Sequence, residues 1–399
     1  GQEGAAVVDI NVNMTAKVPS RLPGKKDSYD ALSLRNRVIE RELGLSSESW
    51  SDYTPQDILN KYRNPANLEE SERYPNVDWV DALFKDYAMS YNANVNLSGG
   101  TSFVKYFASV DFLNEGDLFR EYDNSRGYQA GFGYNRINGR SNLDFNLTKT
   151  TVFKVNLSGS YGVRKTPWDY SDTDYSAWIS AYGTPPDAML PIYSDGSFGY
   201  YSKDEVGASN SVMSVALSGA EERTTTRINT DFTLEQDLGM LVKGLTVRGL
   251  FSLDNTFIER KRGVNDLNNN AQAKYIDPKT GEVYYKRVTD ANTQFEFQES
   301  KKWTTSGGEM DNNATYRRIY YQMQLNWARK FGQHDITAMG LFSREKYATG
   351  SEIPHYREDW AFRATYNYAQ RYFLEVNGAY NGSEKFSSEN RFAFFPSGA

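Results

Sequence analysis

The sequence contains no cysteine and only 2 histidines among its 399 residues. Without cysteine it has neither a disulfide framework nor a thiolate metal site. The two histidines, His334 and His355, belong to no zinc or catalytic-triad pattern. No run of about 18 apolar residues is present, which excludes a membrane-spanning helix. A net charge of −6 and a pI near 5.3 provide no basic surface, so no nucleic-acid partner is expected.

Catalytic motifs are also lacking. The chain has no P-loop, no nucleophile elbow and no paired-carboxylate motif, so we expect neither enzyme activity nor a cofactor. The opening residues, Gly1 to Gly4, have no basic start and no apolar core. The sequence therefore predicts either that a signal peptide has been removed or that the chain is a fragment.

Aromatic residues are abundant, at 15% of the chain, with 29 Tyr, 22 Phe and 7 Trp. Such a content is high for a soluble domain. It is natural for the aromatic girdles of a membrane barrel and for loops that face sugars or peptides.

The clearest local pattern is a β-hairpin from Tyr91 to Phe112, with a turn at Ser98 to Ser102. Apolar Val95 and Leu97 alternate with asparagines on the way in, and the same period of two continues on the way out. A strand with one polar and one apolar face fits a half-buried sheet of a soluble protein, or a membrane barrel with lipid outside and water inside.

The same alternation recurs along the chain, from a first strand at Val8 to Met14 to a last hairpin that ends near Tyr380. Tight turns alternate with links that are mostly long, which is the layout of an outer-membrane barrel rather than of a soluble sandwich. The predicted fold is all-β: a partial transmembrane antiparallel β-barrel of about 11 strands with long extracellular loops. Residues 1–399 are expected to belong to a single barrel domain. Because such barrels close with even strand numbers, and Phe394 to Ala399 provide no closing strand, we expect part of a larger barrel.

A helical insert is predicted at residues 29–72, between the first and second strands. One helix is expected from Tyr29 to Leu43, and a shorter one with Thr54 as N-cap and Pro55 at its first position.

Candidate binding residues concentrate in the link after Tyr161, where aromatic rings could stack on sugars or peptide side chains. The alternative is that they hold a large loop together or meet a partner. The candidates are Trp168, Tyr170, Tyr175, Trp178, Tyr182, Tyr193, Tyr200 and Tyr201. Asp169, Asp172 and Asp174 are a weak calcium candidate, because they lack the glycine and glutamate of an EF-hand. Charged residues expected inside the barrel, to pair with one another or to contact a plug, are Arg136, Arg140, Asp144, Arg248 and Asp254.

Five segments of the chain are distinctive and follow one another in this order: Tyr74-Pro75-Asn76-Val77-Asp78-Trp79, the hairpin with Ser98-Gly99-Gly100 and Asn114-Glu115-Gly116, Arg140 to Asp144, Pro191 to Gly199, and Asn381 to Phe386 with Asn390 to Ser397. Together, in this order, they resemble the SusC/RagA family of TonB-dependent outer-membrane transporters of Bacteroidetes. The resemblance implies a barrel of about 22 strands around a plug, of which this chain would be roughly the first half.

The resemblance also implies the function: import of oligosaccharides or peptides through the bacterial outer membrane, with a SusD-like surface lipoprotein as partner. Outer-membrane lipid and the TonB complex are further implied partners, the latter through an N-terminal region missing from these residues. Two rival interpretations stay open, a soluble or surface-attached glycan-binding adhesin and a passive porin.

Overall fold

The computed structural model describes residues 3–22, 24–42, 48–170, 176–201, 208–269, 271, 273–286 and 303–399. The strands are β1 (Gly4–Lys17), β2 (Ala88–Gly100), β3 (Val104–Glu115), β4 (Gly133–Asn146), β5 (Thr151–Thr166), β6 (Phe198–Gly199), β7 (Gly219–Asp237), β8 (Leu245–Asn265), β9 (Ala273–Ile276), β10 (Val283–Tyr285), β11 (Thr304–Met310), β12 (Tyr316–Phe331), β13 (His334–Thr349), β14 (His355–Tyr368), β15 (Tyr372–Ser383) and β16 (Phe392–Gly398). The helices are α1 (Ser28–Glu42), α2 (Gln56–Arg63), α3 (Leu68–Arg73), α4 (Trp79–Leu83), α5 (Ser176–Gly183) and α6 (Ser211–Ala216), with a 3₁₀ turn at Glu48–Asp52. None of these helices is both long and apolar enough to cross a membrane.

One antiparallel sheet of 13 strands dominates the structure, in the order β1-β2-β3-β4-β5-β7-β8-β12-β13-β14-β15-β16, with β11 paired to the far end of β8. Apart from β11, each strand of this sheet pairs with the strand of the sheet that follows it along the chain, which is the usual arrangement of consecutive elements. A separate sheet of three strands has the order β10-β9-β6.

The period-two alternation gives the large sheet two different faces. On the apolar face, Val95 lies opposite Ile10 on one side and Val110 on the other, and all three side chains are exposed. Neighbouring rings continue this face as an aromatic row, with centroids 6.2 to 6.4 Å apart between Phe103, Phe145, Phe153, Phe232 and Phe251. A water-soluble protein seldom exposes so continuous an apolar surface, which a lipid environment would cover.

The links divide by length between the two ends of the sheet. Short turns at 101–103, 147–150, 238–244, 332–333 and 369–371 lie at one end. At the other end are the described parts of the links 18–87, 116–132, 167–218, 266–315, 350–354 and 384–391, which contain the six helices given above. We refer to the described parts of 18–87, 116–132, 167–218 and 266–315 as the loop layer.

One sequence prediction about a single element is wrong. Thr54 is not the N-cap of α2: Pro55 occupies that position without a side-chain cap. The backbone N–H and C=O of Thr54 instead bond to the side chain of Asn36, at 2.9 and 2.7 Å.

The C-terminal segment adds one strand beyond the last hairpin predicted from the sequence. Residues Phe392–Gly398 form β16 against β15, with Pro396 opposite Gly378. Proline lacks the N–H that a ladder needs and is therefore confined largely to edge strands, and β16 pairs only with β15 among the described strands.

Candidate functional site

Charged and amide side chains cover the other face of the large sheet, which we call the polar face. Asp111 of β3 accepts hydrogen bonds of 2.8 Å from Asn92 of β2 and from Asn138 of β4. The guanidinium of Arg136 lies 3.6 Å from the same carboxylate. One carboxylate thus joins three neighbouring strands through neutral and charged donors.

Further along the sheet the same arrangement is repeated. Glu235 lies between Lys154 and Arg248, at 3.0 and 3.6 Å. Arg318 of β12 lies 3.1 Å from Asp254 of β8 and also pairs with Glu345 of β13. Three of the charged residues expected inside the barrel therefore pair with residues of adjacent strands: Arg136, Arg248 and Asp254. They do not pair with one another, which was one of the two expectations for these residues. These pairs leave the face charged and hydrophilic, as a water-filled interior requires.

The loop layer has its own apolar core, which joins three separate links. Trp79 of α4 is fully buried, and its Nε1 donates a 3.1 Å hydrogen bond to the carbonyl of Pro185. Phe119, Met189 and Val212, from two further links, belong to the same cluster. A smaller cluster of Leu32, Leu59, Tyr62 and Tyr74 packs α1 against α2. The links are therefore packed structure rather than independent loops.

Ion pairs connect different links of the loop layer to one another. Arg126 and Asp266 form a bidentate, buried pair, with 2.7 Å between Nη2 and Oδ1, and Tyr128 donates to the same carboxylate at 2.8 Å. Lys274 donates to Asp195 at 2.7 Å, and this hydrogen bond holds the pKa of that carboxyl below its usual value. The pairs join links far apart in sequence, so they fix how the layer is assembled.

Several of the predicted binding aromatics lie in this packed layer. Trp178 stacks on Phe84 with a centroid distance of 3.8 Å, and its other neighbour is Tyr182 at 6.4 Å. Tyr170 makes an edge contact with Phe132 at 4.8 Å. A role of these rings in substrate contact stays a prediction, but their packing role is visible.

The remaining aromatics lie beside the three-stranded sheet. Tyr193 is buried beneath the ammonium of Lys274, 4.5 Å from the ring centroid, and burial raises the pKa of Tyr193 to about 12. Tyr200 and Tyr201 both pack against Tyr275 of β9, at 6.4 and 6.1 Å. Residues 277–282 form the turn between β9 and β10.

Trp168 is placed differently from the other candidates. It is half-buried and lines a cavity of about 200 Å³ within link 167–218, together with Tyr170 and a group of serines. Sequence reasoning missed those serines, which are Ser180, Ser209, Ser211, Ser214 and Ser218. A signal was present, since four of them follow one another at short intervals from 209 to 218.

The calcium candidate is only partly described. Asp169 is exposed in the link that follows β5, whereas Asp172, Asp174 and the aromatic candidate Tyr175 lie outside the described residues. Within the described ranges no group of three or more His, Cys, Asp or Glu side chains could hold a metal ion. The calcium site stays a prediction without structural support.

Comparison with known proteins identifies similar chains. No family model matches the sequence. Two TonB-dependent receptors of Formosa agariphila are similar: P26 is 26% identical over 81% of this chain and 31% of its own length, and P3 is 24% identical over 100% and 37%. The RagAB peptide importer in its open-open state has a similar fold, with a TM-score of 0.61, 15% identity and coverage of 100% of this chain and 44% of that one.

These similarities bear on the predictions made from the sequence. They confirm the SusC/RagA-like, TonB-dependent resemblance, the partial antiparallel barrel and the outer-membrane location. The relatives are named as receptors and importers, not as enzymes. The chain spans less than half the length of each of these three proteins.

Proposed function

We propose that this SusC/RagA-like chain forms part of the wall and of the loop layer of an outer-membrane transporter that imports its substrate by TonB-dependent transport. The observation that carries the proposal is the two-faced sheet with all its long links at one end. The apolar face meets lipid, the polar face meets the water and plug of the interior, and the loop layer covers the outer opening.

The proposed substrate is an oligosaccharide or a peptide too large for a porin. A peptide is favoured by the similarity to an importer described as a peptide importer. A glycan is favoured by the loop-layer cavity, which is lined by Trp168, Tyr170 and serines. In both cases the binding candidates are Trp168, Tyr170, Tyr175, Trp178, Tyr182, Tyr193, Tyr200 and Tyr201.

The proposed partners follow from the same arrangement. A SusD-like lipoprotein would dock on the outside of the loop layer, which is a firmly packed platform. Coupling to the TonB complex is assigned to parts of the parent protein beyond these residues, since the receptor relatives are more than twice as long as the stretch they share with this chain.

Uptake by cells that carry or lack the full-length parent gene tests the proposal. The probes are labelled pools of short peptides and of short neutral oligosaccharides. We expect one pool to enter only with the gene present, and entry to stop when an uncoupler removes the proton-motive force. Entry that persists with the uncoupler would identify a passive porin. Binding without entry, by a parent that stays monodisperse without detergent, would identify an adhesin.

A further inference from the structure

The apolar face of the large sheet carries three cations at the end where the long links lie. Alternate residues of a strand share a face, so Arg344 and Lys346 of β13 are in line with the ring of Phe342. Arg317 of β12 lies opposite Ala348, which continues the same line. The three cationic side chains are exposed. We call Arg317, Arg344 and Lys346 the cation cluster.

The cluster is compact enough for one ligand to meet all three side chains. Residues two apart on a strand are about 7 Å apart, and diagonal neighbours on adjacent strands are about 7–8 Å apart. Arg344 and Lys346 are related in the first way, and Lys346 and Arg317 in the second. Long side chains reach one another across such distances.

These cations lack acidic partners. No carboxylate lies within 4.0 Å of Arg317, Arg344 or Lys346 in the part of the chain that the structure describes, which includes all of residues 303–399. Arg317 donates a 3.0 Å hydrogen bond to the carbonyl of Gly350. The neighbouring arginines on the polar face, in contrast, have carboxylate partners. The positive charge of the cluster is therefore available to a ligand.

Three acids at the same end of these strands have other partners. Glu358 is on the apolar face, where its carboxylate accepts a 2.9 Å hydrogen bond from Nε1 of Trp360. Glu352 and Glu384 face the two ring nitrogens of His355. On the apolar face the cluster thus supplies three positive charges, against one negative charge from Glu358.

An aromatic row borders the cluster on the side of the short turns. Phe342, Trp360 and Tyr380 are register neighbours on β13, β14 and β15, and Arg344 is the next residue outward from Phe342 on this face. The rings of Phe342 and Trp360 have centroids 4.5 Å apart. Aromatic girdles in membrane barrels mark the boundary between hydrocarbon and headgroups. The row therefore places the cluster just beyond the hydrocarbon.

The length of β13 agrees with this placement. His334 begins the strand beside the short turn 332–333, and Arg344 lies ten residues further along. Ten residues of strand extend about 34 Å, which is about 26 Å of height at the usual tilt of about 40°. The apolar band of such barrels is about 25 Å tall. Arg344 and Lys346 then lie at the height of the outer headgroups.

Tyr356 of β14 adds a neutral donor to the cluster. Its ring centroid is 5.9 Å from the guanidinium of Arg344 and 5.7 Å from the ammonium of Lys346. The side chain is exposed, and its hydroxyl bonds to no residue that the structure describes. Phosphate oxygens accept strong, charge-assisted hydrogen bonds from guanidinium and ammonium groups. The donors and charges together suit a phosphate group.

We propose that the cation cluster binds the phosphate-bearing headgroup of a lipid in the outer leaflet of the outer membrane. The cations bond to the phosphate oxygens, and the aromatic row packs against the acyl chains below. A soluble anion would lack this second contact, so the occupant is the lipid. The inference rests on the proposed position of the sheet in the membrane, and goes beyond the proposed function because it does not concern the transported substrate.

Native mass spectrometry of the delipidated, detergent-purified, full-length parent tests the inference. The probes are phosphorylated lipid A, the same lipid with its phosphates removed, phosphatidylethanolamine and inorganic phosphate. We expect saturable binding of phosphorylated lipid A, and binding about tenfold weaker for the dephosphorylated lipid, because hydrogen bonds to charged groups are lost. Phosphatidylethanolamine should also bind more weakly, and inorganic phosphate should not displace the lipid.

Variants of the cluster locate the site. Arg344→Gln combined with Lys346→Gln should weaken lipid binding about tenfold or more, because two charge-assisted contacts are lost. Arg344→Lys combined with Lys346→Arg keeps both charges and should bind nearly as the parent does. Arg329→Gln is the matched control: Arg329 is on the same face at the short-turn end, 4.7 Å from the ring of Phe331, and its replacement should leave binding unchanged.

Three results would overturn the inference: dephosphorylated lipid A or phosphatidylethanolamine binds as tightly as phosphorylated lipid A, the glutamine variants bind as the parent does, or inorganic phosphate displaces the lipid. If the double glutamine variant has a lowered melting temperature, the single variant Arg317→Gln decides in its place. Energised uptake is measured separately. Its absence would remove the proposed function, whereas loss of phosphate selectivity with uptake intact would remove the lipid site alone.

Discussion

Individual side chains in the loop layer show strong effects of burial. Tyr193 keeps its proton longer in the folded layer than in an unfolded chain, where its pKa is 10.0, because burial raises the pKa to about 12. The stability that Tyr193 contributes is therefore complete below pH 10 and is lost as the pH rises from about 10 to 12. Two pKa units correspond to about 2–3 kcal/mol.

Replacement of Tyr193 by Phe tests this. The absorbance of tyrosinate is titrated against pH for the parent protein and for Tyr193→Phe, and one curve is subtracted from the other. We expect this difference to have its midpoint near pH 12. Tyr87→Phe, at an exposed tyrosine, provides the reference difference signal. A midpoint for Tyr193 near 10 would show that this ring is not buried in solution.

The Arg126–Asp266 pair is the second residue-scale test. Its side chains are 10% and 1% exposed, and Tyr128 donates to the same carboxylate. Removal of one partner leaves an uncompensated buried charge, so Arg126→Met should destabilise the loop layer by about 3–5 kcal/mol. Hydrogen exchange should then accelerate in residues 123–132 and 266–269.

Arg262→Met is the matched control for that change. Arg262 pairs with Glu259 at 2.7 Å, but the arginine side chain is 51% exposed. Exposed pairs contribute little, so exchange in the layer should stay as it was. Equal effects of Arg126→Met and Arg262→Met would contradict the account.

At the scale of elements, strands were the most predictable feature. Alternation of Val95 and Leu97 with asparagines indicated β2 because a one-sided strand needs just that pattern. β16 was missed because Pro396 and Gly398 are poor strand formers that an edge strand can accommodate. Thr54 was assigned to a helix cap from local preference, whereas a contact with Asn36, 18 residues away, decides its role.

Glycines opposite aromatic rings stabilise the last hairpin. A Cβ added at Gly378 would overlap the ring of Phe362 on β14 and lie 2.9 Å from a ring carbon of Phe394 on β16. The rings lie over the glycine, an arrangement that fixes strand register. Gly378→Val should therefore cost about 1–3 kcal/mol through overpacking.

Gly249→Val provides the comparison, since a Cβ there meets nothing within 4 Å. We expect this change to be neutral or slightly stabilising, because valine suits a strand better than glycine. Denaturant unfolding of the full-length parent in detergent measures both. The register argument fails if the two variants unfold at the same denaturant concentration.

For the whole molecule, the layout of short turns and long links was visible in the sequence, whereas the loop layer was not. Its core joins Trp79, Met189 and Val212, and its ion pairs join Arg126 to Asp266, 140 residues apart. Such contacts leave no periodic signal. The aromatic candidates could be named from composition, but the serine-lined cavity beside Trp168 required the fold.

The central claim is that the apolar face spans the outer membrane with the long links outside and the short turns inside. The absence of cysteine from this sequence allows a direct test by single-cysteine labelling, in a parent cleared of any other cysteine. Ile353 lies in link 350–354 and is 85% exposed, Leu68 in the loop layer is 63% exposed, and Met240 in turn 238–244 is 80% exposed.

A membrane-impermeant maleimide applied to intact cells is the decisive measurement. Ile353→Cys and Leu68→Cys should be labelled at once, and Met240→Cys only after the outer membrane is permeabilised. Labelling of Met240→Cys in intact cells, with Ile353→Cys and Leu68→Cys protected or equally labelled, would contradict the account.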